Sequence, residues 1–215
     1  MPYFRNSEIN TLFIHIPKTG GTSLEYYFCD KYNIKLDNNS LYFFLDPENQ
    51  KSKNISSSLQ HMTYQTIMMH KEFFNINMDN IKILTVVRNP YERIISDLFW
   101  YQKININSSK EEVYHIIFEY LYDKNLDNHN IPQYLFITDN QKQLFPNIKI
   151  LHTETLTEDM INLGYYDFNK RLNINEHKIN YFNYLNQNSL KLINQFYAYD
   201  FELFNYKKIL ALKRK

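Results

Sequence analysis

The sequence has one cysteine, three glycines, no long apolar run and almost no net charge, and these shortages limit what the protein can be. The single cysteine, Cys29, excludes a disulfide framework and is compatible with a reducing compartment. No segment approaches the roughly 18 apolar residues of a membrane-spanning helix, and the first residues do not resemble a signal peptide. We therefore expect a soluble, cytoplasmic protein.

The charge balance and the composition narrow the possible partners further. The net charge is +1, so no overall field would attract nucleic acid or a membrane surface. The chain has no H-E-x-x-H motif, no Cys/His cluster and no EF-hand pattern, so we predict no metal site. Its 215 residues suit a single domain, 1–215, and its 19 Tyr and 16 Phe residues predict a core rich in aromatic rings.

Two of the three glycines are adjacent, in a segment that predicts an anion-binding loop. The apolar run Thr11–Ile16 predicts a buried strand, and Lys18 and the Gly20–Gly21 pair follow it. Thr22 and Glu25 have the spacing of a capping box, which predicts that a helix begins there. The N-terminus of a helix offers free N–H groups and the positive end of the helix dipole, so we expect a bound phosphate or sulfate group.

The segment I-P-K-T-G-G-T-S, Ile16–Ser23, resembles the loop that holds the 5′-phosphosulfate of PAPS (3′-phosphoadenosine 5′-phosphosulfate) in sulfotransferases. It is most similar to the carbohydrate and heparan-type O-sulfotransferases, a group like sulfotransferase family 2. In a Walker A loop the lysine follows the glycines, whereas here it precedes them, which argues against an ATPase or kinase. The resemblance implies that PAPS is bound by Lys18, Thr19, Gly20, Gly21, Thr22 and Ser23, with Lys18 also catalytic.

A second motif follows the strand predicted over Ile81–Val87. Asn89 suits a helix N-cap and Pro90 suits the first helical position, so Arg88 would stand between a strand end and a helix start. Arg88, with Ser96 eight residues later, resembles the 3′-phosphate-binding motif of the same sulfotransferases. Arg93 either contacts the ligand or is an ordinary salt-bridged helix residue.

The remaining pattern predicts the fold class. Strands alternate with helices, which favours a parallel α/β sheet flanked by helices in a single P-loop-like domain, with ligands beyond the carboxyl ends of the strands. Weaker landmarks extend the family resemblance over a PAPS-binding core of about 10–206, namely Ile131–Tyr134, Leu151–Leu156 and Tyr197–Tyr206. A late loop that relatives use for PAPS corresponds to Asn173–Asn188. The predicted elements after the first motif are helices over Thr63–Phe74, Lys110–Tyr122 and Ser189–Phe204 and a strand over Ile148–His152.

A transfer to a hydroxyl group needs a base, and histidine is the side chain whose ordinary pKa suits this task near pH 7. His61 resembles the histidine that relatives place before a helix that faces the acceptor, so we predict that it is catalytic. His15 is predicted to be a buried residue that supports the loop. Glu154 orients a base, binds the acceptor or is an ordinary structural carboxylate, and His129 has no distinguishing context.

The sequence therefore predicts a PAPS-dependent O-sulfotransferase that needs no metal and acts by in-line transfer on a hydroxyl group of a carbohydrate. PAPS, its product PAP and a glycan acceptor are the expected partners, and nucleic acid is not. Two alternatives stay open: an atypical P-loop kinase for nucleotides or small molecules, which would depend on magnesium, and a non-catalytic protein that binds PAP or a glycan.

Overall fold

A computed structural model of the chain describes residues 1–169 and 180–211. Within them, four strands form a single sheet and the helices lie around it. The strands are β1 (Tyr3–Arg5), β2 (Asn10–Ile14), β3 (Lys82–Val87) and β4 (Ile148–His152). The helices are α1 (Gly21–Tyr32), α2 (Pro47–Lys53), α3 (Tyr64–Met69), α4 (Pro90–Trp100), α5 (Lys110–Tyr122), α6 (Leu156–Asn162), α7 (Gln187–Phe196) and α8 (Ala198–Leu203).

The order of the strands across the sheet is β1-β2-β3-β4. β1 is antiparallel to β2, whereas β2, β3 and β4 are mutually parallel, with Ile14 opposite Thr85 and Val87 opposite His152. The carboxyl ends of the three parallel strands therefore meet at one edge of the sheet, where ligands bind in folds of this kind. The predicted α/β class is confirmed.

Alternation along the strands gives the sheet two apolar faces. Phe13, Leu84 and Val86 point to the face that is covered by α1 and α6, and Leu12 and Ile14 point to the other face, with α3. A third apolar cluster joins α4, α5, α7 and α8 beside the sheet. Because both faces are packed, the rigid sheet fixes where the loops at its carboxyl edge stand.

The predicted bounds of β4 and α5 are confirmed, and other boundaries differ for physical reasons. The capping box predicted at Thr22 is wrong: Gly20, which has no side chain, is the N-cap, and Glu25 is buried against His15 instead. The predicted helix Thr63–Phe74 ends at Met69, and the helix predicted over Ser189–Phe204 is two helices that meet at Tyr197. A further helix, α2, was not predicted from the sequence.

None of the helices in residues 1–169 and 180–211 combines the length and the apolar character that crossing a bilayer requires.

Candidate functional site

The loop between β2 and α1 is held by its carbonyl oxygens. Arg93 Nε donates to Pro17 O at 3.0 Å, and Arg88 donates to Lys18 O at 3.3 Å. Thr153 Oγ1 donates both to Thr19 O, at 2.5 Å, and to Val87 O, at 3.1 Å. Three consecutive carbonyl groups are therefore bound by side chains from α4, from the residue after β3 and from the residue after β4.

This arrangement determines where the N–H groups of the loop point. In a trans peptide the C=O and N–H bonds point in opposite directions, and the described residues contain no cis peptide. Tying the carbonyls of residues 17–19 to the protein therefore turns the N–H groups of Lys18, Thr19 and Gly20 away from it. The N–H group of Ser23 donates to Gly20 O at 3.1 Å and is thus engaged inside the first turn of α1.

The two glycines of the loop have different reasons to be glycine. Gly20 has a φ of 86°, in the left-handed region that favours glycine, and it forms the N-cap of α1. Gly21 lies so close to His15 that an added Cβ atom would stand 2.8 Å from the imidazole and 3.0 Å from the ring of Phe13. Lys18 also has a positive φ, 65°, which places strain in the loop between β2 and α1.

Arg88 stands at the carboxyl end of β3, as predicted, with part of its guanidinium group available. One terminal nitrogen donates to Lys18 O and the other pairs with Glu92 at 3.3 Å. Its Nε is buried and has no hydrogen-bond partner among the described residues. The ring of Tyr181 covers the guanidinium group at 5.1 Å. A buried donor without an acceptor is costly, and an anionic ligand would satisfy it.

The backbone of Arg88 is fixed by a chain of buried amide and carboxylate contacts. Gln133 accepts from Arg88 N and donates to Arg88 O, each at 2.9 Å. Asp200 in turn accepts from the N–H groups of Gln133 and Tyr134 at 2.8 and 2.9 Å. Burial raises the pKa of Asp200 to about 6, against these hydrogen bonds. Two of the weaker sequence landmarks thus support the arginine from beneath.

One face of α4 looks toward the loop. Glu92, Ser96 and Trp100 are four residues apart and share that face. Glu92 pairs with Arg88 at one end, and Lys18 Nζ lies 4.3 Å from the centre of the Trp100 ring at the other. Ser96 lies on the same face of α4 and is half-buried. Desolvation, with a smaller effect of Arg88 and against the attraction of Asp97, lowers the pKa of Lys18.

Arg93 is a buried residue that connects the loop to the segment 129–131 through hydrogen bonds. Its guanidinium group is buried and donates to the backbone carbonyls of Pro17, His129 and Ile131 at 3.0, 2.6 and 2.9 Å. Of the two predicted possibilities, the salt bridge is wrong, because its partners are carbonyl groups. All three nitrogens are used in holding the loop to the segment before residue 132.

Three imidazole rings form a row beside the loop, which we call the histidine row: His15, His61 and His129. His61 packs edge to face against His15, with ring centres 5.4 Å apart, and against His129, with centres 4.8 Å apart. His15 also touches Gly21, so the row starts at the loop. His15 is buried and hydrogen-bonded, as predicted, and the row brings His61 to within one imidazole of the loop.

Each ring of the row has a carboxylate at Nδ1. His15 pairs with Glu25, His61 with Asp127 at 2.7 Å, and His129 with Asp97 at 2.9 Å. A carboxylate only accepts hydrogen bonds, so Nδ1 carries a proton in each pair, and in a neutral His61 the lone pair is at Nε2. We assign these tautomers from the partners.

The charge states of the pairs follow from burial. Desolvation, with the neighbouring rings His15 and His129 and against the attraction of Asp127, lowers the pKa of His61 to about 4. Although burial alone would raise the pKa of Asp127, hydrogen bonds from His61 and Ser58 lower it below its ordinary value. At neutral pH, His61 is thus a neutral imidazole bound to an ionised carboxylate.

Several site residues were not found from the sequence. Asp97 lies in α4, whereas Asp127 and His129 lie together in the segment after α5, and nothing in their spacing or sequence context marks them. Glu154 is structural: it accepts from Asn89 N and from the hydroxyl of Tyr206, each at 2.9 Å. The late loop expected to contact PAPS, Asn173–Asn188, lies outside the described residues up to residue 179.

One group of side chains has the donor types of a metal site. His61, Asp127 and His129 each bring a potential ligand atom within 4.8 Å of the others. All three already take part in hydrogen bonds, which account for their arrangement without an ion.

Comparisons with known proteins complete the description of the site. Residues 1–207 match a family model described as the sulfotransferase family. No curated protein and no solved structure matched the chain. The family model spans the loop, the Arg88 motif and the histidine row.

Proposed function

Because this chain belongs to the sulfotransferase family, we propose that it moves the sulfuryl group of PAPS to an acceptor hydroxyl group, by in-line transfer. The family supports sulfuryl transfer, and its members generally use PAPS as the donor. The finer assignments, namely PAPS itself, a carbohydrate acceptor of the heparan type and the roles of individual residues, are our proposal.

The observation that carries the donor assignment is the pairing of two anion-binding features at one edge of the sheet. Outward N–H groups of Lys18, Thr19 and Gly20 at the start of α1 suit the 5′-phosphosulfate. Arg88, with its unpaired buried Nε, and Ser96 suit the 3′-phosphate that distinguishes PAPS from ATP. PAPS, when bound, supplies the electrophilic sulfur.

The residues of the chain then have separate tasks in the transfer. Lys18 stabilises the negative charge that develops on the bridging and phosphate oxygens, and the N–H groups of the loop add fixed dipoles. His61 Nε2 takes the proton of the acceptor hydroxyl group. The acceptor oxygen forms a bond to sulfur, the bond from sulfur to the bridging oxygen breaks, and its electron pair remains on PAP.

The acceptor assignment depends on the chemistry of the base and on the family resemblance. A sugar hydroxyl group is weakly acidic, so its attack on sulfur gains from a positioned base. The exposed face of Trp100, beside Lys18, offers a flat apolar surface of the kind on which a pyranose ring can lie. A carbohydrate hydroxyl group is therefore the acceptor we propose.

Calorimetric titration tests the donor assignment directly. We expect PAP to bind in the micromolar range or tighter, without magnesium, and Arg88→Ala to weaken that binding by at least about tenfold. Arg5→Ala, at the antiparallel edge of the sheet, is the matched control and should bind PAP as the wild type does. Preference for ATP with magnesium over PAP would contradict the proposal and favour the kinase.

His61→Ala tests the catalytic part separately. Loss of a positioned base predicts a fall in kcat of about 10²-fold or more with the Kd of PAP unchanged. His115→Ala removes an exposed histidine of α5 and serves as the control. Normal turnover in His61→Ala would remove His61 from the mechanism, and binding of PAP without transfer to any glycan acceptor would favour a non-catalytic binding protein.

A further inference from the structure

The proposed base has a carboxylate partner that lies 66 residues away in the sequence. His61 Nδ1 donates to Asp127 Oδ2 at 2.7 Å. We propose that Asp127 is a positioning residue: it holds His61 in the tautomer and ring orientation in which Nε2 can accept the acceptor proton. The catalytic consequence of this inference rests on the proposed function of His61, whereas the tautomer itself does not.

The carboxylate of Asp127 is itself fixed by hydrogen bonds from Ser58. Its carboxylate accepts from Ser58 N at 2.5 Å and from Ser58 Oγ at 2.8 Å, and Ser58 lies just before the turn that contains His61. Asn128 Nδ2 donates to His61 O at 2.9 Å. These bonds attach residues 127 and 128 to the segment 58–61 at both its backbone and its side chains.

The backbone at this point is strained. Asp127 and Asn128 have φ values of 47° and 64°, two consecutive non-glycine residues in the left-handed region. Such conformations persist where the surroundings fix them, and they cluster at functional sites. With this backbone conformation, the Asp127 carboxylate contacts Ser58 and His61. His129, which follows Asn128, packs against the ring of His61.

Only the carboxylate distinguishes the two nitrogens of His61 among the described contacts. The flanking rings of His15 and His129 pack against the imidazole, and a ring rotated by 180° would fill almost the same volume. Rotation would place a carbon atom against Asp127 and leave a buried carboxylate without its donor, which is unfavourable. Asp127 therefore selects one orientation, and its negative charge also stabilises the imidazolium ion that forms when Nε2 takes the proton.

The charged groups around His61 are consistent with this role of Asp127. Asp127 faces the ring directly, and Glu25 and Asp97 lie behind His15 and His129 as their own partners. Each flanking imidazole is thus matched with its own carboxylate. Asp127 is the carboxylate whose removal changes His61 without first changing a neighbouring pair.

Nitrogen-15 NMR of the imidazole rings tests the positioning without any turnover. We expect His61 of the wild-type protein to carry its proton on Nδ1. In Asp127→Asn the amide NH₂ group would face Nδ1, so the proton should move to Nε2. Asp123→Asn makes the same chemical change four residues away, where the carboxylate accepts from Asn125 N, and should leave His61 unchanged. A proton on Nε2 of His61 in the wild-type protein would overturn the inference.

Kinetics test the consequence. We expect Asp127→Asn to lower kcat by about 10²-fold or more, to leave the Kd of PAP unchanged, and to move the acid limb of the pH–rate profile to lower pH, because His61 loses its stabilising anion. Ser58→Ala keeps the carboxylate but removes one of the bonds that hold it, so a smaller fall of about three- to tenfold is expected. A kcat for Asp127→Asn within twofold of that for Asp123→Asn would overturn the positioning role.

The two readouts separate the possible failures. If His61→Ala turns over normally while NMR shows the expected tautomers, the base in the proposed function is wrong and the catalytic part of this inference falls with it. If Asp127→Asn does not fold, which a thermal melt would show, the Ser58→Ala variant and the wild-type NMR spectrum still decide the question.

Discussion

The proposed donor side and the proposed base side of the site are built in different ways. The loop between β2 and α1, residues 16–23, is continuous in sequence and offers mainly backbone N–H groups, and side chains from other elements bind its carbonyl groups. The histidine row offers side chains only, gathered from segments that are far apart in sequence. A site made of consecutive backbone N–H groups is encoded by one continuous segment of sequence. A site made of side chains forms only when the fold brings distant segments together.

Removing Lys18 is the strongest way to test that difference, because it is the single full positive charge that the loop itself supplies. We expect Lys18→Ala to lower kcat by about 10³-fold, since the charge on the leaving group would lose its nearest cation. Lys51→Ala, on the exposed face of α2, is the matched control. A wild-type rate for Lys18→Ala would mean that the loop binds the donor without taking part in the chemistry.

Gly21 is the point where the two sides touch, so a methyl group there should disturb both. The added Cβ atom would stand 2.8 Å from His15, and we expect Gly21→Ala to cost about 1–3 kcal/mol of stability and to weaken PAP binding. Gly164→Ala is the matched comparison: its φ of 90° costs about 1–2 kcal/mol, but no atom lies within 4 Å of the new methyl group. Equal effects of the two variants on PAP affinity would contradict this contact.

The pH dependence of turnover should reveal the base side. Desolvation lowers the pKa of His61 to about 4, below its ordinary value, so the neutral base persists as the pH falls through 6. We expect kcat/KM to stay level down to about pH 5 and to decline as the pH falls through about 4. A decline centred near pH 6.5 would show that His61 titrates as a solvated histidine.

The free energy of unfolding should also depend on pH through His61, and the direction of this dependence follows from its lowered pKa. The unfolded chain binds a proton at the ordinary pKa of histidine, and folded His61 does so only near pH 4, so His61 favours the folded state at high pH. That contribution is lost as the pH falls between these values. Urea titrations of the wild type and His61→Gln at several pH values would measure it, and an identical pH dependence in both would exclude it.

The smallest expected effect is that of a chelator. The hydrogen bonds of His61, Asp127 and His129 account for their grouping, so we expect EDTA to leave turnover unchanged. If EDTA abolished turnover and added zinc restored it, His61, Asp127 and His129 would form a metal centre. The proposed role of His61 as a free base would then be wrong.

What the sequence could predict follows the same division. The strand Ile148–His152 and the helix Lys110–Tyr122 were predicted with their observed bounds, because apolar patterns and caps are local. The helix expected over Ser189–Phe204 is broken at Tyr197, whose hydroxyl group is drawn to Asn130 O at 2.8 Å. That contact links residues 67 apart, so no local pattern carries it.

The predicted site residues show this division most clearly. The positions of Lys18 and Arg88 could be predicted from the sequence, because each residue lies between a predicted strand and the start of a predicted helix. Asp97 and Asp127 acquire their importance only from His129 and His61, which stand 32 and 66 residues away in the sequence. Arg93 was seen as a helix residue of uncertain use, since its three carbonyl partners belong to other segments.

The contact between Lys18 and Trp100 has a practical consequence. Trp100 is the single tryptophan of the sequence, so the ultraviolet emission of the protein comes mainly from one ring at the mouth of the site. A donor that draws the ammonium group from the ring toward its phosphate oxygens changes the electric field around the indole. The protein thus carries a built-in fluorophore, and we expect binding and release of the proposed donor to change its emission in stopped flow without any label.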